Sequence, residues 1–129
     1  MRLLLDTHVF LWMFLHREKI RPKTWAHLEN PENDLFLSAA SAWEIAVKSR
    51  LGKLALPGSP ALYVPRRARE SHIQSLSISE EHALAVADLP LERTDPFDRM
   101  LAAQAQLESL TIVTGDPAFE RYDVKRMAA

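Results

Sequence analysis

The chain has 129 residues, 47% of them hydrophobic, a size and composition suited to one domain around one core. Sixteen Lys+Arg against 17 Asp+Glu leave a net charge of -1, so the total does not mark a nucleic-acid binder, although clustered acids would offset basic patches elsewhere. There is no cysteine, which excludes disulfides, thiolate zinc sites and thiol nucleophiles.

Leu3 to Leu5 reads as a short buried strand and His8 to Leu15 as a helix with broad apolar coverage. Asp6 and His8 interrupt the apolar N-terminus and no small-residue cleavage site follows, which argues against a signal peptide. No apolar run reaches membrane-spanning length, so a soluble, cytoplasmic protein without membrane contact is expected. Pro22 opens a second helix through Leu28, and Asn30-Pro31-Glu32-Asn33-Asp34 is turn chemistry. Leu35 to Leu37 is a second strand, and Ala39 to Arg50 a helix that ends near Gly52. Leu62 to Ser71 reads as a helix that Pro65 either starts or kinks. Ile73 to Ile78 alternates as a half-buried strand does, and Ser79 caps a helix to Ala87. Asp88 to Thr94 reads as a loop, Pro96 to Glu108 as a helix, Thr111 to Thr114 as a strand, and Val124 as part of an edge strand. Short apolar strands alternating with helices predict an α/β fold on a mostly parallel central sheet flanked by helices. No repeat, low-complexity tract or linker divides residues 1–129, so a single domain is expected.

Four acids stand in distinctive settings. Asp6 ends Leu3-Leu4-Leu5, and Asp116 follows Thr111-Ile112-Val113-Thr114-Gly115. Glu44 lies in Ser41-Ala42-Trp43-Glu44-Ile45-Ala46-Val47-Lys48, and Asp98 closes Asp95-Pro96-Phe97-Asp98. Taken singly, each has a plain structural explanation. Asp6, Asp95 and Asp116 suit helix N-caps, worth commonly about 1 kcal/mol each, and Glu44–Lys48 is an i,i+4 pair worth about 0.2–0.5 kcal/mol. Taken together, they point elsewhere. Asp6 and Asp116 each follow the carboxyl end of a strand, the edge where open parallel sheets bind ligands. Glu44 has apolar neighbours on its helix and is expected to be only partly solvated, with a metal ion or Lys48 as its partner. Carboxylates without His or Cys suit hard cations such as Mg²⁺ or Mn²⁺, which promote phosphodiester hydrolysis through an activated water.

At these four segments the chain resembles the PIN-domain family, and within it the VapC-type toxins of type II toxin–antitoxin systems. The motifs occur in the family's order and span nearly the whole chain. The resemblance implies a PIN fold and a Mg²⁺- or Mn²⁺-dependent endoribonuclease that leaves a 5′-phosphate and a 3′-hydroxyl. It implies Asp6, Glu44, Asp98 and Asp116 as the catalytic, metal-holding quartet, with Thr7, Thr114 and Asp95 in support. It also implies a cognate antitoxin and a homodimer. Relatives with the Asp-Pro-Phe-Asp motif often carry His two positions before its first Asp, where this chain has Arg93.

An RNA substrate needs basic residues beside the acids, and Lys48 and Arg99 are the expected contacts, Arg99 because it adjoins Asp98. The alternatives are a PIN nuclease that processes RNA or acts on DNA without an antitoxin, and a non-catalytic scaffold that binds RNA or protein. A receiver domain would need paired acids after the first strand, where Asp6 is followed by Thr7. The five histidines show no paired zinc spacing, and neither Ser38 nor Ser41 has a persuasive His partner for nucleophilic catalysis.

Overall fold

The computed structural model describes residues 1–90 and 95–129. The expected loop therefore lies partly, and Arg93 wholly, outside the described residues. Five strands form one sheet: β1 (Arg2–Leu5), β2 (Asp34–Ser38), β3 (Ile73–Leu76), β4 (Thr111–Thr114) and β5 (Lys125–Ala128). Their order is β3-β2-β1-β4-β5, and every pair is parallel. Helices α1 (Thr7–Leu15), α2 (Pro22–Glu29), α3 (Ala39–Arg50), α4 (Pro60–Glu70), α5 (Glu80–Ala85) and α6 (Pro96–Glu108) connect them. This is the α/β architecture that the alternation of elements predicts. No helix among the described residues is long and apolar enough to cross a membrane.

β1 is the central strand, and Leu3, Leu4 and Leu5 are completely buried. Alternate residues face opposite sides, so Leu3 and Leu5 pack with Val9, Phe10 and Ile45, while Leu4 packs with Leu101, Ile112 and Phe119. A strand covered on both faces reads as an unbroken apolar run, which is why three consecutive leucines identify it.

Local chemistry sets the helix ends. Ser38 caps α3 by accepting from Ala40 N at 3.0 Å. Gly52 takes φ +74°, and Lys53 N returns to Lys48 O at 2.9 Å. That left-handed turn, which suits glycine, folds Lys53 back over the end of α3. α4 begins at Pro60, so Pro65 lies inside the helix rather than at its start. Pro65 is exposed, and the carbonyl left without its donor can turn to water. The third strand stops at Leu76, and a 3-10 turn, Val86–Asp88, replaces the end of the expected fifth helix. Val124 precedes β5 rather than lying in it. Trp12, Met13 and Trp25 are partly buried and pack against the core.

Removing buried atoms from the central strand leaves a cavity that the sheet cannot close. Leu4→Ala should lower unfolding free energy by about 2–5 kcal/mol, read as a lower urea midpoint with an unchanged slope.

Candidate active site

The parallel register places the ends of β1 and β4 side by side, with Leu5 opposite Val113. Asp6 and Thr114 follow at the same edge. Asp6 is buried and caps α1 through Thr7 N, which donates to its Oδ1 at 2.8 Å. Its Oδ2 accepts the Thr114 hydroxyl at 2.6 Å. The same Thr114 oxygen accepts from Asp116 N at 2.9 Å, so one side chain ties together the two acidic loops. Asp116 in turn accepts from Ala118 N at 2.9 Å. Thr7 donates its hydroxyl to the fully buried Ser41 at 2.9 Å, which links the starts of α1 and α3.

One cavity of about 270 Å³ is lined by Asp6, Glu44, Asp98 and Asp116 together with Asp95, Thr7 and Lys48. Four separate segments of chain thus bring the four acids to one place. Glu44 is buried at 6% exposure, deeper than the partial solvation expected from its helix, whereas its neighbour Trp43 is 60% exposed. The buried positions of α3 are Ala40, Ser41, Glu44 and Ile45, a stripe that puts the carboxylate inward and the indole outward. Lys48 Nζ lies 2.5 Å from Glu44 Oε2. Asp95 caps α6 through Phe97 N at 2.8 Å while its residue still borders the cavity.

Asp98 stands apart from these bonded acids. Its carboxylate has no hydrogen-bond or ion-pair partner among the described residues, and its acidity is correspondingly altered. Desolvation, reinforced by the charges of Asp6, Asp95, Asp116 and Glu44, pushes it up to about 8. Burial also raises Asp6, against the opposing pull of His8, Thr114 and Thr7. The hydrogen bond to Glu44 raises Lys48. An all-oxygen donor set suits a hard divalent cation and would be relieved of its repulsion by one. Among the described residues, no three such groups already converge into a ready-made ligand set. Lys48 supplies the positive charge at Glu44 instead.

Arg99 does not line this cavity. Its guanidinium donates to the carbonyls of Pro90 at 2.7 Å and Val86 at 3.1 Å and borders a separate apolar cavity with Trp43 and Phe97. Successive helix residues point about 100° apart, so adjacency to Asp98 does not carry the side chain to the same face.

Two residues that sequence reasoning left open, His8 and Lys53, border the cavity, and a third, Gln104, holds the cap of α3. His8 borders the cavity, and its Nε2 accepts from Gly115 N at 2.9 Å. The ring proton therefore sits on Nδ1, which faces Asp6 Oδ2 at 3.4 Å. Lys53 reaches the rim only because of the turn at Gly52. Gln104 is fully buried and accepts the Ser38 hydroxyl at 2.5 Å. An amide among the alanines of α6 was its only signal in the sequence.

The model of the PIN domain matches residues 3–125, and the chain belongs to that family. Within it, the chain is 47% identical to Ribonuclease VapC16 of Mycobacterium tuberculosis (strain ATCC 25618 / H37Rv) over 60 residues. That match covers 46% of this chain and 43% of the relative, less than half the length of either. VapBC-1 from nontypeable Haemophilus influenzae has a similar fold, with a TM-score of 0.69 at 18% identity, covering 99% of this chain and 98% of that one. FitAcB from Neisseria gonorrhoeae gives 0.61 at 26% identity, covering 97% and 96%. VapBC2 from Rickettsia felis, solved bound to a DNA fragment from its promoter, gives 0.68 at 13%, covering 99% and 98%.

The raised carboxyl gives a signed pH dependence. Folded Asp98 holds a proton that an unfolded aspartate, with its ordinary value of 3.8, has given up. Its contribution to stability is present below the ordinary aspartate range and is lost as pH rises through about 8. Asp6 acts in the same direction. In EDTA, the melting temperature should fall across that window, and Asp98→Asn should flatten the profile and melt higher than wild type near pH 8. A wild-type profile that rises with pH would contradict this assignment.

Proposed function

We propose that this chain is a divalent-metal-dependent endoribonuclease, the toxin of a type II toxin–antitoxin pair. The observation that carries the reading is Asp98, an unpartnered carboxyl held at about 8 in a cavity with Asp6, Glu44 and Asp116. Such clustering is destabilising without a cation, and perturbed acids in a cleft mark functional sites. The name of the ribonuclease relative and the VapBC names of the fold neighbours support the same assignment.

In this reading Asp6, Glu44, Asp98 and Asp116 hold Mg²⁺ or Mn²⁺. The cation would supply charge for the phosphate oxygens and lower the pKa of an attacking water. The chain's own contribution is preorganisation. Thr114 fixes Asp6 and the backbone of Asp116 in one geometry, and Thr7 anchors the start of α1 to α3 through Ser41. The α1 and α6 N-termini direct partial positive charge toward the same region. Lys48 stands beside Glu44, where an incoming phosphate would meet a cation. The products carry a 5′-phosphate and a 3′-hydroxyl. A cognate antitoxin covers the site, the toxin acts as a homodimer, and the pair works in the cytoplasm.

A non-catalytic PIN scaffold is the second reading. Its support is the Lys48–Glu44 pair, which already neutralises one acid without metal.

Antitoxin-free protein should cleave a mixed RNA pool with Mn²⁺ or Mg²⁺ and melt higher in their presence. A metal's charge stabilisation is worth several kcal/mol, so Asp98→Asn should lower cleavage by roughly 10²-fold or more and remove the metal-induced shift. Cleavage that persists in EDTA would sink the metal assignment. Metal-induced stabilisation with no cleavage of any RNA would favour the scaffold.

A further inference from the structure

Beside the acid cavity lie two hollows with basic residues in their walls. Asp116 borders the acid cavity and also a second cavity of about 360 Å³, whose walls include Glu120, Arg21 and Arg126. Arg21 and Arg126 continue into a third cavity of about 530 Å³, lined also by Lys23, His27 and Lys125. The three hollows adjoin one another through shared lining residues, and the outermost is lined by residues of α2 and of β5, the outer strand of the sheet.

The cations here are set apart by lining hollows that share residues with one another, since Arg66 and Arg69 on α4 are also exposed and, among the described residues, without an ion pair. Arg17 pairs with Glu29, Lys48 with Glu44, and Arg67 with Glu70. Arg21, Lys23, Lys125 and Arg126 are all exposed, and among the described residues Lys23, Lys125 and Arg126 have no side-chain carboxylate partner. The Arg21 guanidinium donates to the backbone oxygen of Ala129, at 3.3 Å. Among the described residues, Asp116 and Glu120 are the acids that line these hollows with them. Lys23, Lys125 and Arg126, with Arg21 beside them, are like charges that repel one another on a chain of net charge -1, and a polyanion is the partner that removes the repulsion.

We propose that these hollows form a groove that holds the phosphodiester backbone of a single-stranded RNA segment that continues out of the acid cavity. The inference rests on the nuclease reading above and says where its substrate lies. Continuity with the acids favours RNA over an unrelated anion, because a strand whose phosphate sits at Asp98 must leave the cavity along some path. Small concave hollows fit an extended strand, whereas an RNA duplex is a stiff cylinder recognised by its shape and backbone.

The triple variant Lys23→Ala, Lys125→Ala, Arg126→Ala tests this. Arg21 is kept because it also tethers Ala129. Binding of a short labelled oligouridylate is read by anisotropy in EDTA, where no metal-dependent cleavage competes, over a series of salt concentrations. Each phosphate contact contributes about 0.7 to the slope of log K against log salt, so the triple variant should lose about 2 from that slope. Its affinity at low salt should fall by about tenfold or more. Each single variant should lose about 0.7, which keeps the test open if the triple variant does not fold. The control Arg66→Ala, Arg69→Ala on α4 should leave the slope unchanged.

An unchanged slope in a folded triple variant overturns the groove, as does an equal loss in the control. Failure of wild type to bind RNA also overturns it. Displacement of the RNA by polyglutamate at equal charge concentration would reassign the groove to an acidic protein segment. Groove-dependent binding without metal-dependent cleavage would keep the groove and refute the nuclease. Cleavage that the triple variant retains in full would refute the groove alone.

Discussion

β1 and β4 pair in parallel with Leu5 opposite Val113, so the chain leaves both strands at the same edge and in the same direction. Two acidic loops are thereby delivered to one place without any long-range search by their side chains. The hydroxyl of Thr114 then serves both loops, giving its proton to Asp6 and accepting the amide proton of Asp116. A strand running the other way would put one of these loops at the opposite end of the sheet. Glu44 and Asp98 reach the same edge because α3 and α6 also begin there, after β2 and after the segment that precedes Asp95.

The acids that make the site also close its helices. Asp6, Asp95 and Asp116 each accept a backbone N–H at the start of a helical turn, so their cost as clustered charges is partly offset by capping. Asp98 has no such compensation and carries the strain of the arrangement as a proton it does not release until about pH 8. Structural and functional readings of an acidic residue are therefore not exclusive here. One oxygen can satisfy the backbone while the carboxylate still contributes to the field of the cavity.

Much of this was legible in the sequence, because the strongest signals are local. Three consecutive leucines in a strand buried on both faces, Pro at the start of α2 and α6, and an apolar run before Asp116 all depend on near neighbours alone. The positions that were not legible depend on what lies across the fold. The stripe of α3 that faces the interior includes Ser41 and Glu44 beside Ala40 and Ile45, and Trp43 is left outside. Arg99 adjoins Asp98 in the chain but points to carbonyls of the segment before α6. The pairing of Gln104 with Ser38 joins residues that no spacing rule connects.

Gly115 has an ordinary backbone conformation, so its role is not a special turn. A methyl group at this position would come within 3.2 Å of the Trp12 ring and 3.3 Å of His8 Nε2. The indole of α1 thus gauges how closely the loop after β4 can approach, and the missing side chain sets the width of the gap. His8 packs against that indole in a tilted arrangement with ring centres 4.6 Å apart, and cannot yield without giving up its bond to the Gly115 amide. A larger residue here would act as a wedge, moving Asp116 away from Asp6 while leaving every acid in the sequence intact.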